Sequence, residues 1–217
     1  MENKTTEVIF NEIKEALKKG DRAGVAALVK QALDSGVEVR KIMDEALISG
    51  MEEIGGRFKR NEIFIPEVLI SAKAMHSGMA VIEPHFAKCG IKPIGKVVIG
   101  TVKGDLHDIG KNIVSMMMRG VCFDVEDHGI DVSPAKFVEA VRKSGADILA
   151  MSSLLTTSMP SMRETMKALK DANLRDKVKV IVGGAPVTQS FADSIEADAF
   201  ARDAASAVDK ARELLRR

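Results

Sequence analysis

Lys96-Val-Val-Ile-Gly-Thr101, running into Val102-Lys-Gly-Asp105-Leu-His107-Asp108-Ile-Gly110-Lys-Asn112, decides the fold of the C-terminal part of the chain. A short β-rich run ends in a polar loop, and residues at helical spacing follow over Ile109–Arg119. The same grammar repeats downstream. Further β-rich runs fall at Val121–Glu126, Ile148–Ser152 and Val178–Val182, with a weak fifth near Ala199–Phe200. Helical segments alternate with them at Pro134–Lys143, Met159–Ala172, Thr188–Ile195 and Asp203–Leu215. Such alternation predicts a parallel sheet covered on both faces, because each crossover helix must pack back over the strands. Ligands of such sheets sit outside the carboxyl ends of the strands, where the polar loop lies.

Upstream the texture is different. From Thr5 to about Phe86 apolar residues recur at helical spacing: Ile9, Ile13 and Leu17, then Leu28 and Leu33, then Ile42, Ala46, Met51, Ile54 and Phe58. Gly20-Asp21, Ser35-Gly36 and Asn61 supply breaks, and Pro66 suits the first turn of a last helix through Val68, Ala72, Met75, Met79 and Ile82. Short helices with short connections make a bundle. Glu83-Pro84 and Pro93-Ile94-Gly95 interrupt both patterns. The expected architecture is an N-terminal four-helix bundle cap, residues 1–88, and a C-terminal α/β Rossmann-like (flavodoxin-like) five-stranded parallel sheet, residues 96–217, joined by a linker at 89–95.

The 217 residues suffice for two such units, each with its own core. A net charge of +1 from 32 basic and 31 acidic residues, with no basic stripe and no Trp or Tyr, argues against nucleic acid as a partner. The charged, amphipathic N-terminus and the lack of a long apolar run predict a cytoplasmic protein without a membrane partner. Cys89 and Cys122 are far apart and in no C-x-x-C pattern, which argues against a disulfide framework or a thiolate zinc site.

Chemistry concentrates in the loop after the first strand, where His107 stands between Asp105 and Asp108. Neither G-x-G-x-x-G nor G-K-S/T is present there, so neither a dinucleotide nor a phosphate loop is indicated. Imidazole suits a transition metal, and an Asp two residues away can bond the other ring nitrogen, orienting the ring and raising its basicity. The residues alone leave a second reading open, in which the two aspartates cap the next helix and His107 is a surface residue. The third strand ends in Ser152-Ser-Leu154-Leu-Thr156-Thr-Ser158, and the fourth in Gly183-Gly184. Hydroxyls and glycines on successive strands would admit a long, flat ligand tail, or they are a helix cap before Met159 and a flexible turn.

These elements are connected by spacing. Asp105-x-His107-x-x-Gly110, then Ser152-x-Leu154 after forty-one residues, then Gly183-Gly184 after twenty-eight more, resembles the D-x-H-x-x-G, S-x-L and G-G pattern of cobalamin-binding domains. In the helical half, Phe58-Lys-Arg-Asn-Glu-Ile-Phe64-Ile65-Pro66-Glu-Val-Leu and Ser71-Ala-Lys-Ala-Met resemble the cap of methionine synthase and of methanogen and acetogen corrinoid proteins. The resemblance thus covers nearly the whole chain. It implies cobalamin bound base-off and His-on, with His107 as cobalt ligand and the displaced nucleotide tail near Ser152, Leu154, Thr156, Gly183 and Gly184. It further implies Asp105 and Ser158 as a proton-linked relay behind His107, and Phe58 and Ile65 as apolar cover on the upper corrin face. From periodicity alone Phe58 and Ile65 read as bundle core. Met116, Met117 and Met118 cannot face one site on a helix and read as core and flank. His76 reads as a bundle residue, and His85 and His128 as loop residues.

The function so implied is a methyl-carrying corrinoid subunit of one-carbon metabolism in an anaerobe, not a complete enzyme. A substrate-specific methyltransferase would charge it, a second methyltransferase acting on coenzyme M or tetrahydrofolate would discharge it, and a reductive activase would restore it. Methanol, methylamines, betaines and methoxylated aromatics are candidate donors by analogy. Two alternatives stand beside this: a cobalamin-dependent sensor, for which no basic recognition helix is present, and a metal hydrolase binding a bare ion through Asp105, His107 and Asp108.

Overall fold

The computed structural model describes residues 2–85 and 92–216 and divides into two compact units, Met1–Lys92 and Pro93–Arg217. Cys89 and residues 89–91 of the expected linker lie outside the described residues.

The first unit is a helical bundle. Its helices are Glu2–Lys19, Arg22–Asp34, a third made of Val39–Lys41, a π-helical stretch Ile42–Ile48 and Ser49–Lys59, and Ile65–Ile82, followed by a 3-10 turn Glu83–His85. The first three helices end where the sequence supplies a residue tolerant of positive φ: Gly20 (70°), Gly36 (80°) and Asn61 (57°). Asp21 starts the second helix, its carboxylate accepting the Gly24 N–H, and Glu67 accepts the Phe64 N–H at the start of the last. Ile13, Leu17, Ile42, Leu47, Met75 and Ile82 are fully buried, each burial contributing about 1.5–3 kcal/mol. A Cβ on Gly78 would lie 2.8 Å from Val25 Cγ1 and 2.9 Å from Leu47 Cδ2, so a glycine there lets the last helix close on the second and third.

The second unit is a five-stranded, wholly parallel sheet: β1 (Lys96–Thr101), β2 (Asp124–Asp127), β3 (Ile148–Ser152), β4 (Lys179–Gly183) and β5 (Ala199–Ala201), in the order β2-β1-β3-β4-β5. Val97, Val98, Ile148, Leu149, Val180 and Val182 are fully buried, as expected where helices cover both faces. Ser133, Thr188 and Asp203 cap three of those helices through their side chains. Two strands start later than the apolar pattern suggests. Val121 ends the preceding helix and Cys122 takes a left-handed turn (φ 68°), so β2 begins only at Asp124, and β4 begins at Lys179. The register sets Thr101 beside Ser152, Ser152 beside Gly183 and Gly183 beside Ala201, a row of small residues at the carboxyl edge. The order reverses direction between β1 and β3, and the crevice at such a switch point is where ligands bind. Among the described residues no helix is long and apolar enough to cross a membrane.

Candidate functional site

The loops after β1 and β3 meet at this switch point around one carboxylate. Asp105 is completely buried, and both its oxygens are occupied. Oδ1 accepts the backbone N–H of His107 (3.0 Å) and bonds His107 Nδ1 (2.7 Å). Oδ2 accepts the Leu154 N–H (2.6 Å), the Leu155 N–H (3.3 Å) and the Ser158 hydroxyl (2.9 Å). Ser158 Oγ lies 2.7 Å from Ser153 Oγ. The chain His107–Asp105–Ser158–Ser153 therefore runs from a ring whose side chain is 51% exposed into fully buried structure.

Burial alone would push the Asp105 carboxyl up. Hydrogen bonds from the Leu154 and His107 backbones, the His107 ring and the Ser158 hydroxyl outweigh it and hold the group well below the usual carboxylate range. A carboxylate only accepts, so Nδ1 of His107 carries the hydrogen and Nε2 is left to bind a metal. Thr101 Oγ1 donates to the His107 carbonyl (2.8 Å) and holds the loop from below.

The capping alternative does not describe these residues. Asp108 and Ser158 occupy N-cap positions, yet neither side chain caps its helix. Asp108 instead accepts from Asn112 Nδ2 (3.0 Å), and Ser158 is committed to Asp105. The hydrolase alternative asks Asp105 and Asp108 to hold an ion beside His107, whereas both oxygens of Asp105 and Oδ2 of Asp108 are engaged in hydrogen bonds.

Of the remaining expected residues, Ser152 is half-buried, Leu154 and Thr156 are exposed, and Gly183 and Gly184 end β4. A Cβ on Gly184 (φ 122°) would fall onto the Ser153 carbonyl, and one on Gly183 would lie 2.7 Å from the Ala201 carbonyl oxygen. The chain's own backbone makes the close approach at both. In the helical unit, Phe58 is half-buried and Ile65 is 40% exposed, while Phe64 between them is more open at 65%. Met117 and Met118 are core and Met116 is half-buried; His128 bonds Glu126 (2.9 Å) on the edge strand.

Sequence reasoning missed Ser153 and the backbone donors of Leu154 and Leu155. The hydroxyl run was the available signal, but which hydroxyl turns inward depends on the turn after β3. It also missed most of the apolar surround: Leu106 and Ile109 are each 69% exposed and flank His107 in sequence, and Ile130 and Leu155 are open to solvent, as is the expected Leu154. Isolated exposed leucines need no explanation, but several beside a metal-ready imidazole at a ligand edge fit a large, flat, partly apolar ligand.

A family model described as a B12 binding domain matches residues 95–212, and a second with the same description matches residues 9–83. A dimethylamine corrinoid protein of Methanosarcina barkeri is 42% identical over 212 residues, covering 96% of this chain and 98% of its own. Among solved structures, a cobalamin-binding protein from Desulfitobacterium hafniense superposes with a TM-score of 0.81 at 32% identity, over 94% of this chain and 98% of that one. The methanol:cobalamin methyltransferase complex of Methanosarcina barkeri gives 0.81 at 28% identity, over 96% and 85%.

Proposed function

This chain belongs to the B12-binding family of corrinoid proteins, and on that premise we propose that it binds cobalamin base-off and His-on, with His107 as the residue that would hold the cobalt, and carries methyl groups between methyltransferases. The observation that carries the reading is the half-exposed imidazole tied through Nδ1 to a fully buried carboxylate at the β1/β3 switch point. The donor set fits the group: one neutral nitrogen ligand, an oriented ring, and open apolar side chains beside it for a corrin.

Bound cobalamin supplies a cobalt that accepts a methyl group from one partner and yields it to the next. The protein's part is to hold the ligand nitrogen in place and to accommodate its release. His107 Nε2 would hold the cobalt, and Asp105, bonded to Nδ1, would fix the ring plane and favour positive charge on the imidazole. The Leu154 and Leu155 amides and the Ser158 hydroxyl, itself bonded to Ser153, keep the second carboxylate oxygen satisfied and favour the ionised form of Asp105. Ser152, Leu154, Thr156, Gly183 and Gly184 are the proposed neighbours of the nucleotide tail, and Phe58 and Ile65 the proposed apolar cover. The methanol:cobalamin complex supports a substrate-specific methyltransferase as charging partner, and the dimethylamine relative supports a methylamine donor. A second methyltransferase acting on coenzyme M or tetrahydrofolate and a reductive activase complete the proposed set, in the cytoplasm.

Reconstitution with hydroxocobalamin in the absence of oxygen tests the ligand: about one corrinoid per chain with an imidazole-ligated absorbance spectrum is expected, and His107→Ala should lose that signature. An unchanged spectrum in the variant would overturn His107 as ligand. Transfer of the methyl group from methylated protein to a coenzyme M or tetrahydrofolate methyltransferase tests the carrier role, and no transfer to either would count against it.

A further inference from the structure

We propose that Lys111 and Asp127 are a positioning pair that fixes where His107 stands, a role outside the relay described above and one that rests on the corrinoid-binding reading. Lys111 lies in the first turn of the helix Ile109–Gly120, four residues after His107, yet its side chain is only 3% exposed. Its Nζ donates to both oxygens of Asp127 (2.7 and 2.6 Å) and to Asn112 Oδ1 (2.7 Å). The ammonium's three hydrogens thus have three acceptors. Lysine is almost never buried unless paired, and taking both charges from water offsets most of their attraction, so stability alone is a weak reason for the pair.

The connections of Asp127 supply a better reason. It ends β2, and its Oδ1 also accepts the Gly129 N–H (2.9 Å). The Gly129 carbonyl accepts the Thr101 N–H (2.9 Å), and Thr101 Oγ1 donates to the His107 carbonyl (2.8 Å). Two residues on, the Asp131 N–H donates to the Asp105 carbonyl (3.1 Å), and Asp131 Oδ1 accepts the Gly104 N–H (2.8 Å). Lys111 therefore grips the His107 loop from both ends. Its own backbone continues the helix that leaves the loop, and its side chain fixes the turn whose backbone bonds to the loop's beginning. Ile130, 42% exposed, sits on that same turn, so the pair also places one of the apolar residues of the site. Neither Lys111 nor Asp127 bonds His107 directly.

Titration of the full-length protein with hydroxocobalamin, reading affinity and absorbance spectrum together, tests the pair. Lys111→Met and Asp127→Asn should each bind about tenfold more weakly, with a reduced imidazole-ligated fraction, as loss of groups that orient a metal ligand does. In a His107→Ala background the same substitutions should cost little further affinity, because there is no ligand left to position. Where Lys111→Met does not fold, Asp127→Asn at a partly exposed position carries the measurement. Wild-type affinity and spectrum in the variants, or an equal loss with and without His107, would overturn the positioning role and leave an ion pair of the fold. A wild-type protein whose spectrum is indifferent to His107→Ala would instead overturn the ligand assignment and this inference with it.

Discussion

Asp105 carries more of the site than its neighbours do. Five hydrogen bonds converge on one buried carboxylate, and the sign of their effect on stability follows from its lowered pKa. Below the ordinary carboxylate value of about 4 the unfolded chain takes up this proton before the folded one does. The stability it contributes is therefore fully present above that value and is lost as pH falls from there toward the depressed folded value. Denaturant unfolding of the cofactor-free protein between pH 6 and pH 3 should show a steeper loss in the native sequence than in Asp105→Asn, and parallel slopes would contradict the account. Asp105 and His107 were legible in the sequence because a carboxylate two residues before a histidine can close back on it locally. The Leu154 and Leu155 amides, and Ser153 behind Ser158, were not, because they join the Asp105 network only once the end of β3 lies beside the loop after β1. The hydrophobic pattern carries no information about that juxtaposition.

Among the elements, the strands were visible as runs of valine and isoleucine, and their errors have a common cause. Val121 and Phe123 are apolar and buried like strand residues, yet they finish a helix and a left-handed turn before β2 starts, and apolar pattern alone does not separate the two. The π-helical stretch left no trace in the apolar pattern, because Ala46, Leu47 and Ile48 are all apolar and buried and the step from Leu47 to Met51 is an ordinary helical four. Gly183-Gly184 illustrates a different lesson: the sequence shows that side chains are missing, not what takes their place. At Gly184 it is the Ser153 carbonyl, the link between the ends of β4 and β3. Gly184→Ala should accordingly combine a strained positive φ with a backbone clash and cost about 3 kcal/mol or more, measurable by chemical denaturation. A cost under about 1 kcal/mol would mean that the two loops are free to part.

For the molecule as a whole, the alternation of strands and helices announced a parallel sheet, and the order β2-β1-β3-β4-β5 is that of the flavodoxin-like sheet expected. That order makes the loops after β1 and β3 neighbours, and the site depends on it. Because a ligand that binds only the folded form stabilises it by mass action, cobalamin at a hundred times its dissociation constant should add about 2.7 kcal/mol. With no Trp or Tyr in the chain, calorimetry is the suitable probe. A rise in melting temperature that His107→Ala diminishes at equal cobalamin concentration is the expected result, and no shift in the native protein would argue against tight binding. The π-helical stretch Ile42–Ile48 has a consequence for how chains of this kind diverge. An i→i+5 turn is what a single inserted residue leaves in an α-helix, and deleting one residue there would restore ordinary winding. Everything from Ser49 to Lys59, Phe58 included, would then turn by about 100° around the helix axis. A change of one codon in a buried segment would thus exchange which side chain that helix presents at its far end, with no substitution at that end at all.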